Sequence, residues 1–170
     1  MPYVRDRLQP KSKKHVQERA AKHRCALDPA NAAGNFTGAF DWFRAAAAYA
    51  ARRSYRTLDI GNGALARREQ IIAEAARVLQ DCGTEISDLA PASFRPSARR
   101  AEYRAAYGRA ASPRDQLNAA HAWLLYAVRR AERYERHGAG VKSAASAIRD
   151  RAVTRLIEWA EEMDADDYGE

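Results

Sequence analysis

Two arginine–histidine pairs carry the most specific chemistry this chain offers. Arg114 and His121 in "RDQLNAAH", and Arg130 and His137 in "RAERYERH", are each seven residues apart. On a helix that spacing is almost two turns, so each pair shares one face with about 10.5 Å of axial rise between its members. An arginine so placed holds a phosphate, and a histidine moves a proton. The same stretch, residues 111–138, offers a second chemistry. Arg129, Arg133 and Arg136 are four and three residues apart and share a face, with Tyr126, Arg130 and Tyr134 in the adjacent row. Arg52, Arg53 and Arg56 recur on an earlier segment. Arg99, Arg100 and Arg104, with Tyr103 and Tyr107, recur on another. Guanidinium groups grip phosphate bidentately and stack on bases, and tyrosine offers a further stacking face. Arginine and tyrosine interleaved on helix surfaces suit backbone-led binding of DNA or RNA, not base reading. The competing structural reading has the tyrosines at the core edge and the arginines paired with carboxylates such as Glu132 and Glu135.

The segment "RDQLNAAH" resembles the R-x4–6-H motif of HEPN-type RNases. The likeness covers eight residues. It implies a helical bundle that cleaves RNA without a metal, with Arg114 and His121 as the catalytic pair and a second copy across a dimer. The residues themselves favour another place for His121, at a helix interface between Leu117 and Leu124, with no catalytic residue in the chain. No zinc-finger spacing, leucine zipper or glycine-rich phosphate loop is present. Residues 97–137 could hold a helix-turn-helix with "YGRAASP" as its turn, although that turn is longer than usual.

Charge is polarised along the chain. The 170 residues carry a formal +7. Residues 1–24 hold eight Lys/Arg against two acids, including Lys11, Lys13 and Lys14, and residues 158–170 hold seven acids and no base. Such asymmetry suggests a nucleic-acid or acidic partner, with the acidic end shielding the basic body until a polyanion competes. Glu158, Glu161 and Glu162 read as part of a solvated charge run. Cys25 and Cys82 are the two cysteines, and reduced thiols in a cytoplasmic protein are the expectation. His23, Cys25 and Cys82 lack the close ligand pairs of structural zinc. No metal or other cofactor is expected. No apolar run approaches the ~20 residues of a membrane span, so no membrane partner is expected either.

The elements that would position these groups are helical. Alanine (38) and arginine (24) are the commonest residues and both are strong helix formers, whereas β-branched residues are scarce. A short helix follows Ser12, its apolar stripe thin at Val16 and Ala20. Asn35 or Thr37 caps a long apolar helix through Phe40 and Phe43. Asn62 caps the next, with Gly83 as its stop. An irregular connector, "TEISDLAPASFRPS", leads to Ser97, which caps a short helix ended by Gly108. Ser112-Pro113-Arg114-Asp115 is the clearest helix start. Its stripe is Leu117, Ala120, Leu124, Val128 and Ala131. The last helix begins near Ser143 and buries Ala145, Ile148, Ala152, Leu156, Trp159 and Met163. The expected fold is therefore all-α, a bundle of five or six helices with a basic N-terminal arm and an acidic C-terminal tail. Its parts are a basic arm with a short helix (1–24), a helical core (25–157), and the end of the last helix with the acidic tail (158–170). The expected function is a nucleic-acid-binding accessory protein or complex subunit that contacts phosphates non-specifically. A HEPN-like RNase and a phage or mobile-element protein–protein module are the alternatives.

Overall fold

Six α-helices and no strand occur among the described residues of the computed structural model, which are 13–27, 32–56, 62–90, 97–136 and 140–166. They are α1 (Lys13–Cys25), α2 (Ala32–Arg56), α3 (Asn62–Asp88), α4 (Ala98–Arg109), α5 (Pro113–Arg136) and α6 (Lys142–Asp166). The expected all-α bundle is thus present, with well over half the chain helical. No described helix is long and apolar enough to cross a membrane. Lys11 and His137 lie outside the described residues, as do the side chains of Lys13, Lys14, Arg52, Arg53, Arg56, Glu135 and Arg136. The chain divides into two compact units, one of residues 1–71 with 153–170 and one of residues 72–152, and the divisions fall inside α3 and α6.

The first unit is organised around aromatic residues of α2. Phe36, Phe40, Trp42 and Phe43 are all buried, the wide apolar coverage expected of a central helix. Phe43 meets Trp159 of α6 edge-on at 6.2 Å, a favoured aromatic geometry. Trp42 packs with Ala20 of α1 and Ala160 of α6, and Leu27 and Ile157 close the cluster. Asn35 and Thr37 are not caps, because α2 already begins at Ala32. Helix α1 contributes little apolar surface beyond Val16 and Ala20. Ion pairs to the end of α6 supplement it: Arg19 with Asp164, and Arg24 with Glu161 at 3.0 Å. Arg67 of α3 reaches Glu162 at 3.0 Å. Arg155 pairs with Glu158 at 2.9 Å and lies over the Trp159 ring at 4.2 Å. The acidic run at the end of α6 is therefore not simply solvated. Asp164 is 2 % exposed, and its second oxygen accepts the indole N–H of Trp42 at 2.8 Å. A buried indole needs such an acceptor, and a buried carboxylate needs such donors.

In the second unit Leu79, Ile86, Leu117, Ala120, Trp123 and Leu124 are buried. Gly83 does not stop α3, which continues to Asp88, so the first residues of the expected connector are helical. The glycine is needed for closeness instead of termination. A Cβ built there would stand 2.4 Å from Cδ1 of Trp123. The indole N–H of Trp123 reaches Thr84 Oγ1 at 3.2 Å, which holds the same edge of the ring against α3. Two expected core positions are only half-buried, Val128 and Ile148, and Arg149 is buried beside the latter. Helix α4 packs against α5, yet none of its residues is buried. Its Ser97 cap accepts the Arg100 N–H at 3.1 Å, and Ser112 caps α5 through the Asp115 N–H at 3.2 Å. Both caps stand where the sequence put them. Helix α4 runs one residue past Gly108.

Candidate functional site

The capped starts of α4 and α5 fix two faces against each other. On α5, positions 122, 125, 126, 129, 130 and 133 fall on one side of the helix. On α4, Arg99 and Tyr103 are one turn apart, with Ser97 at the N-terminus. These residues line a pocket of about 430 Å³. Among the described residues its lining holds four arginines, Arg99, Arg129, Arg130 and Arg133, and no carboxylate.

One side of the pocket is a closed hydrogen-bond cluster. Arg130 donates from Nη1 to Ser97 Oγ at 2.9 Å and to Tyr126 Oη at 2.8 Å, and from Nε to Tyr134 Oη at 2.5 Å. Its guanidinium also lies 6.0 Å and 5.7 Å from the ring centres of Tyr126 and Tyr134, the second of which is buried. Ser97 Oγ stands 2.7 Å from Tyr126 Oη. Counting donors settles the direction of that bond. Ser97 Oγ already accepts from the Arg100 N–H and from Arg130, which fills both lone pairs, so the serine donates its proton to Tyr126. The phenol oxygen then accepts twice. Its own O–H has no acceptor among the described residues and is available to a ligand oxygen. Burial by itself would raise the Tyr126 pKa, but the hydrogen bonds of Ser97 and Arg130 and the charges of Arg130 and Arg133 outweigh it. The phenol sits below its ordinary value.

An aromatic row leads into the same pocket. Tyr126 stacks on Trp123 (6.2 Å, 19° between planes) and on Tyr103 (4.9 Å, 22°). Trp123 is buried, whereas Tyr126 and Tyr103 are half-buried. Arg99, Arg129 and Arg133 are exposed and have no ion-pair or hydrogen-bond partner among the described residues. No family model, no curated protein and no solved structure matches this chain.

The structure therefore sorts the arginines that the sequence offered as one group. Arg99, Arg129 and Arg133 meet at the pocket without a counter-charge among the described residues. Arg130 is committed to holding Ser97, Tyr126 and Tyr134. Arg100 is committed elsewhere, donating from Nε to Ser87 Oγ at 2.7 Å with Asp88 3.6 Å away. Arg104 is exposed and borders a separate hollow of about 540 Å³ with Ser97, Arg100, Ala101 and Ala105. Arg114 is exposed and His121 half-buried on the same continuous helix, and neither lines the arginine pocket. Cys25 and Cys82 are free thiols, the first exposed and the second buried. No group of three or more potential metal ligands occurs among the described residues. The hydrogen-bond cluster escaped sequence reasoning. Its members were visible as a Tyr126–Arg130–Tyr134 row and as a capping serine, but nothing in spacing says that the row turns toward the cap.

Proposed function

We propose that this protein is a nucleic-acid-binding accessory protein or complex subunit, acting in the cytoplasm, that contacts phosphates through Arg99, Arg129 and Arg133. The observation that carries the reading is the convergence of three exposed arginines, with no partner among the described residues, on one pocket whose described lining holds no acid. Three like charges held this close repel one another, and an anion among them relieves that repulsion. Guanidinium groups meet phosphate oxygens with two N–H donors at once, and the free Tyr126 O–H adds a neutral donor. The assignment narrows the arginine set: Arg130 shapes the pocket, Arg100 is engaged with Ser87 and Asp88, and the exposed three make contact.

The test is a titration of labelled oligonucleotides, single-stranded and duplex, against wild type and the Arg99→Ala/Arg129→Ala/Arg133→Ala variant across a range of salt. Wild-type affinity falls steeply with salt because phosphate contact releases counter-ions. The variant binds more weakly, and its log–log salt slope is flatter by roughly one unit per lost contact. An unchanged affinity and slope in the variant would refute the assignment.

A further inference from the structure

We infer that the pocket receives a nucleotide of a single strand, with its base continuing the Trp123–Tyr126–Tyr103 stack and its phosphate on Arg129 and Arg133. The inference rests on the phosphate-binding reading above and adds the kind of nucleic acid. Three features of the site support it. The first is shape. A pocket of about 430 Å³ lies within the roughly 300–1,000 Å³ range of small-ligand sites, a volume that takes a base and sugar. Contact with a duplex backbone needs no such concavity. The second is the aromatic row. It begins at a fully buried indole and ends at a half-exposed phenol, with planes within 22° of parallel. The last ring of the row, Tyr103, is only half-buried, and a base of any kind has a flat face to stack on such a ring. A duplex keeps its base faces inside its own stack and cannot offer one without unpairing.

The third feature is where the charges stand. Arg99 is one turn from Tyr103 on α4, and Arg129 and Arg133 stand one turn apart on α5, so cations flank the ring from both walls. A strand whose base enters between them brings the phosphates on either side of that base to opposite walls. The Arg130 cluster fixes the floor: Tyr126 is held by two hydrogen bonds and Tyr103 stacks on it. The platform is thus ordered before a ligand arrives, which lowers the entropy cost of binding.

The experiment compares short oligo(dU) and oligo(U) with a blunt duplex of equal phosphate number, by fluorescence anisotropy at fixed salt, in wild type, Tyr103→Ala, Tyr103→Phe and Arg129→Ala/Arg133→Ala. Circular dichroism and thermal melting first establish that each variant is folded. At least one single strand is expected to bind more tightly than the duplex. Tyr103→Ala should weaken that binding about tenfold, in line with the loss of one stacked base, without changing the salt slope. Tyr103→Phe, which keeps the ring, should bind within about twofold of wild type, and the arginine pair should lower the slope. Equal binding of duplex and single strand, with Tyr103→Ala silent and the arginine pair weakened, would overturn the stacking inference and leave phosphate binding standing. If no oligonucleotide binds, both readings fall.

Discussion

Gly83 shows what one missing methyl group does. Its backbone lies within a helix that its composition would otherwise end, and the α3 surface there touches the Trp123 indole. Gly83→Ala would gain intrinsic helix propensity, about 1 kcal/mol. It would also drive a carbon to 2.4 Å from a ring that Thr84 already holds. Overpacking costs about 1–3 kcal/mol and more when the neighbour cannot yield. The variant is therefore expected to be less stable than wild type in urea unfolding, against the helix-propensity ranking. At Tyr126 the electrostatics give a second prediction. The folded phenol titrates below its ordinary value because it accepts from Ser97 and Arg130. A depressed folded pKa adds stability as pH rises through the folded value, and the gain is complete and retained above the unfolded value. The contribution is therefore absent at neutral pH and appears as pH rises from the folded value toward about 10. Ultraviolet titration should show one tyrosine ionising early, lost in Tyr126→Phe and moved upward in Ser97→Ala. If Ser97→Ala leaves that step in place, the hydrogen bond is not what depresses it.

Among the elements, α1 depends most on polar contacts. Two buried small residues, Val16 and Ala20, are a narrow apolar footing for thirteen residues. Arg19 on Asp164 and Arg24 on Glu161 supply polar fastening, and the His23 ring stacks on Trp42 at 6.3 Å. The pKa of His23 is lowered, first by burial and then by Arg19, against the raising pull of Asp164 and Asp41. A lowered folded value means that the neutral ring belongs to the docked helix. The stabilisation is complete above about 6.5 and is lost as pH falls through the folded value. Between pH 7.5 and 5, wild type should lose more thermal stability than His23→Phe, which cannot take up a proton. Equal losses would place the acid sensitivity elsewhere. Asp164→Ala should be costlier than any exposed acid-to-alanine change. It strands the Trp42 N–H and the Arg19 charge, a loss of about 3–5 kcal/mol for a broken buried pair. This element also shows how far the sequence was legible. Helix order, the Ser97 and Ser112 caps and most of the 3.6-residue stripes follow from local rules and hold, with Val128 and Ile148 only half-buried and α3 running past Gly83. Asp164 was read as one member of a solvated acidic run, because its burial is decided by a tryptophan 122 residues away. Likewise, the spacing of Arg99, Arg100, Arg129 and Arg130 puts them on helix surfaces. Only tertiary packing separates Arg100 and Arg130, which find serine and tyrosine partners, from Arg99 and Arg129, which find none among the described residues.

At the scale of the whole molecule, the formal +7 is less informative than where charges are already matched. In the unit formed by residues 1–71 and 153–170, Arg19, Arg24, Arg67 and Arg155 each face a carboxylate near the end of α6. In the unit formed by residues 72–152, Arg99, Arg129 and Arg133 face none among the described residues. Helix α1 thus meets the described end of α6 within one unit, and the pocket arginines without a described partner lie in the other. Two models of binding follow from the same net charge. If the acids mask a binding surface on α1 and α3, neutralising them exposes Arg24 and Arg67 to a polyanion. If the arginine pocket of α4 and α5 is the site, those acids are structural and their loss changes little. The pairs Arg24–Glu161 and Arg67–Glu162 are exposed, so breaking them is a mild perturbation to the fold. Glu161→Gln/Glu162→Gln should therefore melt near the wild-type temperature. Its oligonucleotide affinity should rise only by the small factor that two added positive charges give to long-range attraction, a rise that vanishes as salt shortens the Debye length. The salt slope should stay at the wild-type value, because no new phosphate contact is made. A steeper slope by one or two units would show that Arg24 and Arg67 had joined the interface, and would move the binding surface from the pocket to the basic helix that these acids cover.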